Sequence, residues 1–277
     1  MARTRSELAR WARGGVGEGL ALVPTMGFLH EGHLSLVDLA RERSARVAVS
    51  IFVNPLQFGP AEDYARYPRS EETDLAMLEA RGVWLVFVPD VEEMYPGGPP
   101  SVTVRPGPMG DRLCGAFRPG HFEGVLTVVA KLFGLFHPEV AVFGRKDFQQ
   151  SVLIRRMAHD LELGVEVLGA PTVREPDGLA LSSRNAYLSR EEREQAVGLF
   201  QALEAGLQRA LEEERSAAAI RDAVTRRLGD FPLLEPQYVD VVDPKTLEPA
   251  ETLRPGTVAA VAAFCGHTRL IDNVELP

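Results

Sequence analysis

The chain reads as an α/β protein: a parallel-sheet domain followed by a smaller C-terminal α+β domain. Three observations predict this. Apolar runs of strand length at 20–26, 46–53, 83–89, 140–144 and 165–171 alternate with stretches of helical period at 31–43, 70–81, 123–136 and 147–161. Such alternation implies βαβ units, right-handed crossovers and hence a parallel sheet. After about residue 172 the order changes, with helices first and strands after them, as in a separate α+β domain. The predicted domains are therefore 1–171 and 172–277.

The first strand, Leu20-Ala21-Leu22-Val23 and onward, runs into Pro24-Thr25-Met26-Gly27, and Leu34, Leu36, Val37, Leu39 and Ala40 then take up a helical period. In the helix at 70–81, Ser70 is a candidate N-cap, with Glu71 and Glu72 in the first turn. The segment 95–120 breaks the alternation with Tyr95-Pro96-Gly97-Gly98-Pro99-Pro100 and later Arg118-Pro119-Gly120-His121. Loops of this length in compact domains are often lids or binding loops. In the second domain, Ser189-Arg190-Glu191-Glu192 has the form of a capping box and opens one long helix to about residue 214. A shorter helix follows at 216–228, then strand-like runs at 237–242, 257–264 and 269–276. Cys265-Gly266-His267-Thr268 reads as a hairpin link between the last two.

The 277 residues are 45% apolar and 25% charged, ordinary for a globular protein, with a formal net charge of −9. That acidic total argues against nucleic acid as the main ligand. It does not argue against ATP, because a local cluster can hold a triphosphate whatever the global sum. The two cysteines, Cys114 and Cys265, form no CxxC pair, which disfavours a zinc ribbon or dithiol site and leaves two reduced thiols. The N-terminal Met-Ala-Arg-Thr-Arg-Ser-Glu-Leu lacks a signal-peptide core, and no apolar run approaches membrane length. The expected location is cytoplasmic.

Four clusters carry chemistry. His30 and His33 sit where a strand feeds a glycine turn that opens a helix. Helix N-termini suit phosphate, and imidazoles there can donate to phosphoryl oxygens. One histidine capping backbone beside an exposed one is the bland alternative. His-Glu-Gly-His lacks the spacing of a helical zinc pair. Asn54-Pro55-Leu56-Gln57 follows the second strand, and the amides of Asn54 and Gln57 suit a small polyhydroxy acid. Turn chemistry also accounts for Asn54. Gly144-Arg145-Lys146-Asp147 leads into the helix that carries Gln150, one turn beyond Lys146. Lys146 can act as a point charge on phosphate, unless this is a solvated charge run. Leu181-Ser182-Ser183-Arg184 suits a loop closing over phosphates, unless it is a polar linker. Asp74 and Asp147 are candidate Mg²⁺ carboxylates, with a helix-surface charge the alternative for Asp74.

In this order the motifs resemble the pantothenate synthetase family, the ligases that join pantoate to β-alanine. The resemblance is carried by Pro24-Thr25-Met26-Gly27 with His30-Glu31-Gly32-His33, by residues 50–58, and by Glu62-Asp63-Tyr64 through Tyr67-Pro68-Arg69. It continues through Arg118-Pro119, His121-Phe122, the run 124–129, Lys146-Asp147 with Gln149-Gln150, and Ser182-Ser183-Arg184-Asn185. It implies a Rossmann-like nucleotidyltransferase domain with a smaller domain that closes on ATP. It also implies that His30, His33, Lys146, Ser182, Ser183 and Arg184 contact the ATP phosphates as the catalytic set. Met26, Gly144, Asp147, Val173 and Leu181 belong to the ATP site as well. Met26, Asn54, Gln57 and Gln150 would form the pantoate site, and Asp74 would help place Mg²⁺. The implied assembly is a homodimer. Two departures from the family pattern stand out: Arg145 where Glu is common, and Leu181 where Met is common. Arg145 would put a positive charge beside the phosphates, whereas Leu181 nearly conserves volume.

The implied reaction is ATP-dependent condensation of pantoate with β-alanine through a pantoyl adenylate. The substrate carboxylate supplies the first nucleophile, which agrees with the lack of a convincing nucleophilic triad. Two rival readings are weighed. Transfer of AMP to a phosphate-bearing acceptor would want a second basic cluster, whereas Asn54, Gln57 and Gln150 are neutral. A non-catalytic nucleotide-sensing module would need no second-substrate pocket.

Overall fold

In the computed structural model, which describes residues 1–13, 19–60, 62–212 and 214–277, the apolar runs of the first half become β1 (Leu20–Thr25), β2 (Arg46–Ile51), β3 (Leu85–Phe87), β4 (Val140–Gly144) and β5 (Glu166–Ala170). The helices among them are α1 (Arg5–Arg13), α2 (Glu31–Arg43), α3 (Glu71–Ala80), α4 (Val91–Met94), α5 (Cys114–Phe117), α6 (His121–Phe136) and α7 (Phe148–Asp160). The strands form one parallel sheet in the order β3-β2-β1-β4-β5. This is a doubly wound, Rossmann-like arrangement whose strand order reverses between β1 and β4, and ligands bind such sheets beyond the carboxyl ends at that reversal.

Side chains alternate across the sheet, as the period-2 geometry of strands demands. Ala21, Val23, Val47, Val49 and Val86 pack with Leu34, Val37 and Ala40 of α2 and Leu78 of α3. From the opposite face, Phe87 meets Phe136 of α6 edge-on, ring centroids 5.8 Å apart. Helix α1 went unpredicted. It buries Leu8, and the chain before it is tied to the sheet edge, where Ala2 N–H donates to the Val86 carbonyl at 2.8 Å. Ser70 precedes α3 as expected but caps no amide, since its hydroxyl donates to Thr73 Oγ1 at 2.9 Å.

The chain divides into two compact units. The first comprises Met1–Asp111, Gly115–Arg145 and Gln150–Pro171, and the second Arg112–Cys114, Lys146–Gln149 and Thr172–Pro277. The second unit contains α8 (Arg190–Ala196), α9 (Gly198–Leu211), α10 (Ala217–Leu228) and the antiparallel sheet β6 (Leu234–Val242), β7 (Val258–Cys265) and β8 (Thr268–Glu275). Its core joins Leu199, Leu203, Ile220 and Val224 of the helices to Ala259, Val261 and Ala263 of β7.

Two predictions fail in this unit for identifiable reasons. The single long helix is interrupted at one residue, Val197, whose backbone stays right-handed helical, and the Phe231 ring packs where a Cβ on Gly198 would lie. Its predicted end near 214 runs past Glu213, which lies outside the described residues. Strand β6 starts at Leu234, ahead of the predicted 237, and Pro236 is accommodated by an irregularity between Pro236 and Tyr238 on an edge strand. The predicted hairpin is present: Cys265 pairs with Thr268 and Gly266 takes φ +57 at the first turn position.

Gly124 shows how tightly α6 abuts the functional edge of the first sheet. A Cβ there would overlap the Leu56 carbonyl in the turn after β2. We expect Gly124→Ala to lower the unfolding free energy by about 1–3 kcal/mol through overpacking, measured by chemical denaturation. An unchanged midpoint would show that the helix can back away.

Candidate active site at the carboxyl edge of the parallel sheet

The turn after β1 is shaped by two residues in the left-handed region, Gly27 (φ +81) and Phe28 (φ +51). Only glycine fits the first position, because a Cβ would sit 2.9 Å from Ile51 Cγ2 and 3.0 Å from Asp74 Oδ2. The strained Phe28 backbone is held by Asp74, whose two oxygens accept the N–H groups of Phe28 at 2.8 Å and Leu29 at 2.7 Å. Burial pushes the Asp74 carboxyl above its ordinary value, and these two bonds pull the other way without cancelling it.

His30 and His33 then close the N-terminus of α2 on each other. His30 Nδ1 accepts from Gly32 N–H at 3.1 Å, and His33 Nδ1 accepts from His30 N–H at 3.3 Å, a reciprocal capping box made from imidazoles. The rings lie 4.1 Å apart. An accepting Nδ1 leaves the proton of a neutral imidazole on Nε2. Both histidines thus take the Nε2–H tautomer, with a ring N–H donor on the side away from the cap. Both cap backbone, whereas the bland alternative had one capping histidine beside an exposed one.

Beyond β2, Asn54 is 1% exposed and its amide is spent on neighbours. Its Oδ1 accepts from the Tyr95 hydroxyl at 2.8 Å, while its Nδ2 donates to Gln57 Oε1 at 3.0 Å and to the Gly124 carbonyl at 3.1 Å. Its Oδ1 also accepts from Leu56 N–H at 3.3 Å, which is the turn chemistry given above as the alternative for Asn54, so every hydrogen-bonding position of this amide is taken within the protein. It orients Gln57, whose Nε2 is turned to Met26 Sδ at 3.2 Å. Tyr95 escaped the sequence reading because it lies in the proline- and glycine-rich break, 41 residues from Asn54. Gly144 ends β4, next to β1 in the sheet, and its carbonyl accepts from Ser151 Oγ at 3.2 Å. Gln150 lies in the first turn of α7. The stem of the exposed Arg145 runs over Gly169 of β5, with Cγ 3.2 Å from where a Cβ would stand.

The second unit arranges the remaining expected residues. Leu181 N–H donates to the Val173 carbonyl at 3.0 Å, and Arg174 bridges to Ala180, so residues 173–181 form a hairpin. Arg174 anchors it through a bidentate pair with buried Asp272, at 2.6 and 3.0 Å, and by stacking 4.0 Å over the Phe200 ring. The hairpin delivers Ser182, which caps a short turn by accepting from Arg184 N–H at 3.3 Å, and Ser183, which is buried. Lys146 Nζ donates to the Leu181 carbonyl at 3.3 Å, and Asn273 Nδ2 donates to the Lys146 carbonyl at 3.0 Å. Asp147 is half-buried in the same short turn. Arg174, Asp272 and Asn273 were not singled out in advance, since their pairing spans nearly a hundred residues of chain.

Asp74 fits a magnesium ion poorly. It is 2% exposed and each oxygen already accepts a backbone N–H. No group of three or more His, Cys, Asp or Glu with metal-binding geometry occurs among the described residues. Both cysteines are free and buried, and burial pushes the Cys265 thiol up to about 11.

The pantoate-beta-alanine ligase family model matches residues 1–275. The chain belongs to that family. A pantothenate synthetase of Nocardioides sp. is 55% identical over 286 aligned residues, covering 100% of this chain and 85% of the relative. One from Thermoanaerobacter sp. is 54% identical over 258 residues, covering 93% and 91%. The crystal structure of pantothenate synthetase from Thermus thermophilus superposes with a TM-score of 0.94 at 49% identity, covering 100% of both chains. That of the Francisella tularensis pantoate-beta-alanine ligase, described as complexed with beta-gamma ATP and beta-alanine, gives 0.80 at 30% identity, covering 99% and 96%. The family's five-stranded parallel sheet and small C-terminal antiparallel sheet are those described above.

Asp74→Asn keeps the shape of the side chain but turns an NH₂ toward one of the two backbone donors. We expect a loss of about 1–3 kcal/mol in unfolding free energy. The wild-type contribution has a sign in pH. With the folded carboxyl raised, the unfolded chain gives up this proton first. The stabilisation is therefore full below about pH 4 and is lost as pH climbs through the raised value. Denaturation across pH checks this, since the Asn variant should lack that component.

Proposed function

We propose that this chain condenses pantoate with β-alanine, consuming ATP and releasing AMP and pyrophosphate. The observation that carries the reading is the match of essentially the whole chain to pantoate–β-alanine ligases, one of them described with ATP and β-alanine bound. A carboxylate is a poor electrophile because its leaving group would be oxide. In the first step a pantoate carboxylate oxygen attacks the α-phosphorus of ATP, the α–β bridging bond breaks, and pyrophosphate leaves. In the second, the neutral amine of β-alanine attacks the acyl carbon of the pantoyl adenylate, the new N–C bond forms as the nitrogen gives up a proton to solvent, and AMP leaves with the electrons of the broken C–O bond.

The chain's residues divide accordingly in this reading. His30 and His33, as Nε2–H donors at a helix N-terminus, meet phosphoryl oxygens. Lys146, Ser182, Ser183 and Arg184 supply further donors and charge to the phosphates. Gly144, Asp147, Val173 and Leu181 line the adenosine side. The Gln57 amide, with Gln150 and Met26, receives pantoate, and Asn54 supports Gln57 without touching it. Catalysis is then positioning and charge neutralisation at the α-phosphorus.

ATP is expected as its Mg²⁺ complex, the ion held mainly by phosphate oxygens and water, because Asp74 is already spent on the Phe28–Leu29 turn. When bound it neutralises phosphate charge. No described helix is long and apolar enough to cross a membrane, and the reading extends to a cytoplasmic homodimer, which light scattering would test.

Pyrophosphate–ATP exchange that depends on pantoate and proceeds without β-alanine is the expected signature, because it requires a reversible adenylate step. Its absence would remove the reading. His33→Ala and Lys146→Ala should fold normally yet lose about 10²–10³-fold in exchange rate at saturating ATP, and near-wild-type rates would contradict their roles. Gln57→Ala should raise the pantoate KM far more than the ATP KM, whereas equal effects would indicate general loosening.

A further inference from the structure

We infer that Arg118 and His121 work as one positioning pair that sets the Gln57 peptide in the pantoate subsite, with the imidazole confined to a single tautomer. The inference rests on the reading of Gln57 as a pantoate contact and deepens it. His121 is the first residue of α6, and Gly120 (φ +80) turns the chain into it. His121 Nδ1 lies 2.8 Å from the Gln57 carbonyl oxygen, and Nε2 lies 2.9 Å from Arg118 Nη1. A guanidinium can only donate. The ring nitrogen facing it must present a lone pair, so the proton sits on Nδ1 and is donated to the Gln57 carbonyl.

Arg118 Nη2 donates to that same carbonyl at 3.3 Å. The guanidinium is itself fixed by Glu62, with Nε donating to Oε1 at 2.7 Å and Nη2 to Oε2 at 2.6 Å. Burial works to raise the Glu62 carboxyl, but the bonds and charge of Arg118 outweigh it and hold the group below its ordinary value. The carboxylate anchor thus stays ionised at neutral pH. Donation runs one way, from a guanidinium oriented by Glu62 to His121, and from His121 to Gln57.

The opposite tautomer would set a lone pair against a carbonyl oxygen and an N–H against a guanidinium, so the arrangement selects one state. Gln57 is then fixed twice. Asn54 sets its side-chain amide, and the Arg118–His121 pair sets its main chain. A donor fixed at both ends is a preorganised donor, and preorganisation acts on the ligand that the donor meets. Neither residue of the pair is needed at the phosphates for this role. The effect should therefore fall on pantoate alone.

The test separates positioning from bulk stability. His121→Leu removes both ring contacts. His121→Asn retains an N–H near the position of Nδ1. We expect His121→Leu to raise the pantoate KM by at least about tenfold while leaving the ATP KM within about twofold of wild type. His121→Asn should bring the pantoate KM back to within about threefold of wild type. An unchanged pantoate KM in His121→Leu, a parallel rise for both substrates, or an Asn variant no better than the Leu variant would each overturn the inference. If circular dichroism shows that His121→Leu does not fold, Arg118→Lys carries the same expectation and the same overturning results, since an ammonium can pair with Glu62 but cannot also span the imidazole and the carbonyl. Wild-type protein without pantoate-dependent exchange would overturn the functional reading and this inference with it. Exchange in the wild type with no substrate-selective effect in the variants would overturn the positioning pair alone.

Discussion

One buried carboxylate governs the candidate site. Asp74, brought in by α3, takes the amides of Phe28 and Leu29 on its two oxygens. Those bonds hold Phe28 at a positive φ that a bulky side chain seldom adopts. The turn in turn decides where α2 begins and how its first residues face. Only with the chain entering at that angle can His30 and His33 exchange bonds through Nδ1 and direct their protonated nitrogens outward. The position of Gly27 against Ile51 and Asp74 follows from the same close approach. A desolvated carboxylate is costly, and its two amide bonds offset part of that cost.

The same logic recurs along the sheet edge and in the second unit. Several expected ligand contacts rest on side chains whose own bonds are made within the protein. Gln57 rests on Asn54, and Asn54 on the Tyr95 hydroxyl. The hairpin before Ser182 rests on Arg174, and Arg174 on buried Asp272. The Lys146 backbone rests on Asn273, next to Asp272 in β8. Adjacent residues of a strand point to opposite faces, so one strand supports the hairpin before Ser182 and the Lys146 turn from its two sides. Such supports restrict rotamers before any ligand arrives, which reduces the ordering cost of binding.

The sequence made the first sheet readable almost to the residue. β1, β2 and β4 are buried on both faces and appear as continuous apolar runs. Helix α1 was missed although its residues follow a helical period, because it is only nine residues long and lies ahead of the first strand. Of the site, the residues at strand ends were readable, since strand–turn–helix punctuation marks them. Asn54 was read as a ligand contact because type and place alone suggest one. Only its four partners, two of them dozens of residues away, show its amide fully taken within the protein. Tyr95, Arg174 and Asp272 left no local trace at all.

Local chemistry was enough to settle the order of strands and helices, the parallel character of the first sheet, the hairpin of the second, and the family. Each depends on period, turn residues or contiguous motif, which are properties of short stretches. Tertiary structure alone decided that Gly198 must lack a side chain, since the Phe231 ring occupies the space beside it. It also decided the tautomers of His30, His33 and His121, and which polar side chains are spent on partners within the protein. Those outcomes turn on which donor meets which acceptor across the fold. A hydrogen bond between residues 41 or 98 apart is written in no local pattern, because the chain must fold before the two groups are neighbours.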